Sequence, residues 1–222
     1  MEDIDLILKM VRIYSDEDTR KIDFNDVFHI QAESMCDMFS SLLSKKKIRA
    51  KAAVINITCK SSDKIEDMLL IDGFLDVDIA YNLEDFNNLS EQKKRSIQLE
   101  IIMLGLRKAS SFLNLNLEPF IEVQNEIVQL NYLNRFIWKK PKYSPDRKKK
   151  AYIQVEWGTQ TVKIDLVVTD KKGDLLLKQS IPVNHPGRMG LDILGSLNWL
   201  DNDIIEIRHQ YIKKEVYKFT IV

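Results

Sequence analysis

From Leu89 to Tyr132 apolar residues recur at helical spacing, pause at Asn114-Leu115-Asn116 and resume, which no other long stretch of the chain does. In the first half Ile97, Leu99, Ile101, Ile102, Met103, Leu104, Leu106, Ala109, Phe112 and Leu113 leave little of the circumference polar. A helix lying on a surface keeps a polar back, so one apolar most of the way round is expected to be covered on several sides. Ser90 is placed to cap it, and Glu91 suits its positive amino end. Asn116 caps the second half, with Glu118 and Pro119 in the first turn, where a proline removes no intrahelical bond. Leu117, Phe120 or Ile121, Gln124, Ile127 or Val128, and Leu130 mark its expected buried side. The two halves form an antiparallel helical hairpin, and the rest of the chain must supply sheet or helices around it.

Before the hairpin, residues 4–14 alternate loosely and close at Ser15-Asp16-Glu17-Asp18, the pattern of a strand ending in an acidic turn. Phe28, Ala32, Met35, Phe39 and Leu42 then repeat at spacings of one helix face. Asn25 is a suitable cap for that helix, and Lys45-Lys46-Lys47 complements its negative carboxyl end. Residues 52–59 are β-branched and alternating, hence a strand. From Met68 to Asn82 an Asp72-Gly73 pair separates two apolar runs. This predicts a tight hairpin, because both central residues of the favoured turn need positive φ; a single long strand with a glycine bulge is the competing reading. Either way Leu75, Val77, Ile79 and Tyr81 share one face, and Asp76, Asp78 and Ala80 the other.

After the hairpin the composition shifts. Residues 138–150 hold two prolines and dense charge, which predicts a basic loop or linker. Beyond it, residues 152–157, 161–168 and 175–181 read as a β-meander with turns at Gly158 and Asp170-Lys171-Lys172-Gly173. A short helical turn near Leu191 to Leu197 and strands at 204–208 and 216–221 close the chain. The organisation is therefore an α+β region over 1–137, a basic loop or linker over 138–150 and a β-meander region over 151–222. At 222 residues the chain suits one continuous domain as well as two.

With 45% hydrophobic and 30% charged residues the chain has apolar surface enough to fold. The 33 basic and 33 acidic residues cancel, so attraction of the whole molecule to nucleic acid or anionic membrane is not expected. The start, Met1-Glu2-Asp3-Ile4-Asp5, lacks a basic region leading into an apolar run, and no apolar stretch reaches the ~20 residues of a membrane helix. A cytoplasmic protein is expected. Cys36 and Cys59 lack partners at metal-ligand spacing and read as buried thiols, while His29, His185 and His209 are scattered. No cofactor is expected.

Catalytic patterns fail one after another. Gly158-Thr159-Gln160-Thr161 followed by Asp170 and Gly173 resembles the first phosphate-binding hairpin of sugar kinases. The aspartate that family places two residues before the glycine is Glu156 here, and too little chain follows for a two-domain cleft. P-loop, dinucleotide, nucleophile-elbow and His-Glu-Xaa-Xaa-His patterns are absent. Asp76 and Asp78 supply two of the acids a metal-dependent nuclease would use, without the Glu-Xaa-Lys that completes such a site.

Charge is segregated. Residues 1–88 carry 11 basic and 18 acidic side chains, and residues 138–150 carry 7 basic and one acidic. Asp63, Glu66, Asp67, Asp72, Asp76, Asp78, Glu84 and Asp85 crowd one short segment. Like charges along a strand face repel, so this surface calls for cations, from the protein's own basic stretch or from a partner. Trp138 and Tyr143 among the lysines have the composition to stack on bases, but the remainder of the chain does not read as a nucleic-acid module, and a solvated linker is the expectation.

The segment from Phe74 to Tyr132 has a half-buried strand, then Leu89-Ser90-Glu91-Gln92-Lys93-Lys94, a helix ending Gly105-Leu106 and Ala109, then Leu113-Asn114-Leu115-Asn116 and a second helix closing in Asn131-Tyr132. It resembles small cytoplasmic bacterial immunity proteins encoded beside secreted polymorphic toxins. The resemblance spans roughly a quarter of the chain and carries over no functional residue. It implies a non-enzymatic inhibitor of a toxin domain, and an acidic face would suit a basic toxin through electrostatic steering.

The expectation is an α+β protein with antiparallel β-sheets, a central antiparallel helical hairpin and one further N-terminal helix. Its function is protein binding without catalysis, with Asp72, Asp76, Asp78, Glu84, Asp85, Trp138 and Tyr143 as partner-binding candidates. The alternatives are a hydrolase or metal-dependent nuclease, marked by a deep pocket of converging carboxylates, and a self-assembling protein, marked by an exposed strand edge.

Overall fold

The computed structural model describes residues 6–16, 27–60, 65, 68–183 and 187–221. The chain folds as two compact units, Met1–Leu133 and Asn134–Val222. The α+β class holds: among the described residues there are three α-helices, α1 (Phe28–Ser44), α2 (Glu91–Leu113) and α3 (Glu118–Gln129), all in the first unit. Among the described residues no helix is long and apolar enough to cross a membrane.

The first unit is built on a four-stranded sheet. β1 (Leu6–Ile7) and β3 (Arg49–Ala50) form a separate two-stranded ribbon. The main sheet has the order β2 (Met10–Ser15), β4 (Val54–Lys60), β6 (Phe74–Ala80), β5 (Leu69–Ile71). Antiparallel pairing holds at β5–β6, but β2, β4 and β6 run parallel. Side-chain alternation reports which residues face a core and not strand direction. The usable signal was the order strand, helix, strand over residues 10–60, since a helix is the usual crossover between parallel strands.

Register explains the core. The rows Val11–Ile55–Leu75, Ile13–Ile57–Val77 and Ser15–Cys59–Ile79 run across the parallel strands, and all nine residues are buried. α1 packs on β2, and α2 lies across β2, β4 and β6 on this same face. α2 is covered on several sides by sheet, α1 and α3, as its apolar circumference requires. Gly105 permits the close approach, because a Cβ there would come within 2.4 Å of Ile57. Lys94, 3% exposed, lies with its ammonium 5.6 Å from the centre of the Phe86 ring, a favourable place for a cation on an aromatic face.

Both ends of α2 follow the sequence reading. The Ser90 hydroxyl accepts from Lys93 N–H, and Asn114 ends α2 in the left-handed conformation with φ 54°. The N-cap of α3 is Leu117, not the expected Asn116, and it makes no side-chain cap bond; Asn116, one residue earlier, accepts from Glu118 N–H at 3.0 Å. Asn25 lies outside the described residues, and α1 begins at Phe28. The buried side of α3 is Phe120, Val123 and Ile127, while Val128 and Leu130 are exposed. The expected stripe missed Val123 and extended past the helix end at Gln129, where helical spacing stops applying.

Asp72 and Gly73 both have positive φ, 49° and 79°, and close the β5–β6 hairpin between Ile71 and Phe74. The tight-turn reading holds, and the bulged single strand does not.

The described residues of the second unit are mainly strand. Its four-stranded antiparallel sheet has the order β10 (Leu175–Ile181), β9 (Val162–Asp170), β8 (Lys149–Trp157), β7 (Asn134–Tyr143). A three-stranded sheet follows, β11 (Ser196–Trp199), β12 (Ile204–Arg208) and β13 (Val216–Thr220). Inward residues of both, among them Ile153, Trp157, Leu166, Leu197, Ile205 and Ile207, form one cluster. The helical turn lies at Arg188–Leu191, ahead of the predicted place, and Ser196-Leu197 belong to β11.

The predicted linker 138–150 instead forms the later part of β7, the connecting turn and the start of β8. Pro141 sits in the register break between Trp138 and Lys142, on an edge strand, where a missing N–H costs no ladder bond. Pro145 is the second residue of the tight turn that Arg147 N–H closes onto Ser144 carbonyl at 2.8 Å, a position that suits proline.

Candidate functional site

Alternation along β6 separates the acids from the core. Leu75, Val77 and Ile79 point into it, so Phe74, Asp76, Asp78 and Ala80 lie on the outer face of the sheet. Asp78 does not face solvent as a free charge. Its Oδ2 is 2.7 Å from Lys60 Nζ on the adjacent strand, with both side chains less than a fifth exposed, and its backbone carbonyl accepts from Lys108 Nζ at 2.8 Å. Asp76 is exposed, and its Oδ1 accepts from Asn56 Nδ2 at 2.8 Å. Lys60 and Asn56 stand opposite β6 through the parallel β4–β6 register, which the sequence did not reveal. The two acids are thus tied to separate neighbours rather than converging.

The remaining acids lie at opposite ends of β6. Asp72 is exposed in the turn before the strand. Glu84 and Asp85 are exposed after it, in a turn held by Glu84 N–H donating to Asn82 Oδ1 at 2.8 Å. They rim a depression of about 230 Å³ whose lining includes Tyr81, Leu83, Leu89 and Ile97. Apolar side chains beneath a carboxylate rim suit a lysine or arginine, the stem packing below and the cation meeting the acids above. The Tyr81 hydroxyl is 3.4 Å from Glu100 Oε2, and burial together with the Glu100 charge pushes the phenol up to about 12. At neutral pH this tyrosine is therefore a hydrogen-bond donor.

Trp138 and Tyr143 belong to the second unit. Trp138 is half-buried against the core there, with Lys139 Nζ 4.1 Å from the ring centre. Tyr143 is 61% exposed and stands opposite Lys150 in the β7–β8 register. Their alternating environments follow from strand geometry, which a linker would not impose. Asp63, Glu66 and Asp67 lie outside the described residues.

Sequence reasoning overlooked apolar residues beside the acids. Leu69, Ile71 and Phe74 are 53%, 55% and 47% exposed. The signal was present for Phe74, whose even number in the strand puts it on the side of Asp76 and Asp78. Both cysteines are buried and outside any disulfide, and among the described residues no group of three or more His, Cys, Asp or Glu is placed to hold a metal.

No family model matches the chain, and no curated protein or solved structure matches it either. The fold and surface therefore have to be read on their own terms: an α+β protein of two units, the first with a depression lined by apolar side chains and by Glu84 and Asp85.

Proposed function

We propose that this is a non-catalytic protein-binding protein, a cytoplasmic bacterial inhibitor of the immunity class that holds a basic toxin domain. The observation that carries the reading is the depression beside β6, apolar below and rimmed by Glu84 and Asp85. The first unit contains 16 basic and 23 acidic residues, a balance that speeds encounter with a cationic partner. The partner's lysine or arginine enters the depression, and Asp72 and Asp76 contribute long-range attraction. Asp78 contributes little, since Lys60 already answers its charge.

The test begins with the product of the adjacent gene. Its C-terminal domain is expressed in bacteria with and without this chain, and the purified pair is titrated calorimetrically at low and high salt. Relief of growth arrest, with affinity that falls as salt rises and falls at least about tenfold in Glu84→Lys/Asp85→Lys, is the expected result. A harmless neighbour that does not bind removes the inhibitor reading. Tight binding indifferent to salt and to both substitutions removes the acidic interface alone.

A further inference from the structure

The outer face of the first-unit sheet has no role in the depression, yet its construction is unusual. Parallel pairing occurs almost entirely in sheets covered on both faces. Here the helices cover the side of Val11, Ile55 and Leu75, and every described residue of the opposite side is half-buried or exposed. The register sorts that side into rows. Met10, Val54, Phe74 and Ile71 make an apolar row, and Arg12, Asn56 and Asp76 the next. Arg12 Nε contacts Met10 Sδ at 3.0 Å and Asp76 accepts from Asn56. Neither Arg12 nor Asp76 forms an ion pair among the described residues.

We propose that this face packs against the same face of a second copy of the chain. The arrangement of charge selects the two-fold axis. An axis lying between the sheets and running along β4 sets β2 of one copy over β6 of the other, with each row facing itself. Arg12 then meets the partner copy's aspartate, Asp76 meets its arginine, and Met10 and Phe74 close on each other. An axis across the strands would oppose aspartate to aspartate and arginine to arginine. Stacked sheets lie about 10 Å apart, a gap that arginine and aspartate side chains from opposing faces can span.

The three strands that this axis opposes, at about 4.8 Å spacing and six residues at about 3.3 Å, give roughly 300 Å² of face in projection. That is well under half of the roughly 800 Å² per partner of a standard interface, so the dimer is weak, forming at high micromolar concentration or above.

Sedimentation equilibrium of the full chain, from low micromolar to submillimolar concentration, tests this. The expected result is a concentration-dependent monomer–dimer equilibrium. Arg12→Asp or Asp76→Arg weakens it about tenfold or more, Phe74→Lys abolishes it, and the double reversal Arg12→Asp/Asp76→Arg restores it. Recovery in the double variant also shows that neither single reversal acts by unfolding the chain. A chain that stays monomeric throughout overturns the proposal and leaves the face to a different protein. A dimer that ignores the single reversals, or that the double reversal fails to restore, overturns it as well.

Discussion

Gly105 of α2 lies so close to Ile57 of β4 that a methyl group on it would stand 2.4 Å from Ile57 Cδ1 and 2.7 Å from Cγ2. An alanine elsewhere in a helix interior gains about 1 kcal/mol over glycine. Here the β-branched Ile57 has little freedom to withdraw, and forcing a methyl into a packed core costs about 1–3 kcal/mol. Gly105→Ala is expected to lower the free energy of unfolding by up to about 2 kcal/mol, the excess of that strain over the helical gain. Pairing it with Ile57→Ala should give a smaller loss than the two single changes summed, read from denaturant midpoints.

The β5–β6 turn makes a second prediction. Gly73 has φ 79°, and a Cβ there would come within 2.7 Å of Leu6 Cδ1. Gly73→Ala should cost about 1–2 kcal/mol through left-handed strain. Asp72→Asn should be close to neutral, since asparagine also tolerates positive φ. Thermal unfolding of the two variants side by side distinguishes the turn from a general effect of substitution in this segment.

The Lys60–Asp78 pair is mostly shielded from solvent, with side chains 18% and 12% exposed. Removing one member leaves the other charge poorly solvated, so Asp78→Asn and Lys60→Met should each destabilise by about 1–3 kcal/mol. The double variant is expected to lose less than the sum of the two singles. Additive losses in a double-mutant cycle would show that the pair does not act as a unit.

Alkaline pH should weaken the fold. Burial pushes the Cys36 thiol up from 9.0 to about 12, and burial with the Glu100 charge pushes Tyr81 up from 10.0 to about 12. In both cases the folded state favours the protonated form. The stabilisation is complete below the unfolded-state values and is lost as pH rises from about 9 toward 12. Unfolding midpoints should decline over that window, and Cys36→Ala should flatten the decline. In Glu100→Gln, Tyr81 should ionise at lower pH, seen as ultraviolet difference absorbance against Tyr81→Phe.

Local rules explain much of what could be read in advance. Ser90 caps α2 because a short side chain reaches a free first-turn amide, and Asp72-Gly73 turns because both residues accept positive φ. The buried sides of α1 and β6 follow from periodicity. The stretch 138–150 was misread for an equally local reason: prolines and charge look alike in a linker and in an edge strand, and only pairing with β8 tells them apart. At the candidate site the acids were legible, but Lys60 and Asn56, which hold Asp78 and Asp76, lie far from them in sequence.

The sequence by itself determined the helical hairpin, the strands at 54–60, 74–80 and 151–181 and the segregation of acidic from basic residues, because periodicity, capping and charge belong to neighbouring residues. Only the tertiary structure decided that β2, β4 and β6 run parallel. It also decided that Lys60 answers Asp78 and that Arg12 and Asp76 share the sheet face away from the helices. These depend on register between strands tens of residues apart, and strand register is set by how the whole core closes.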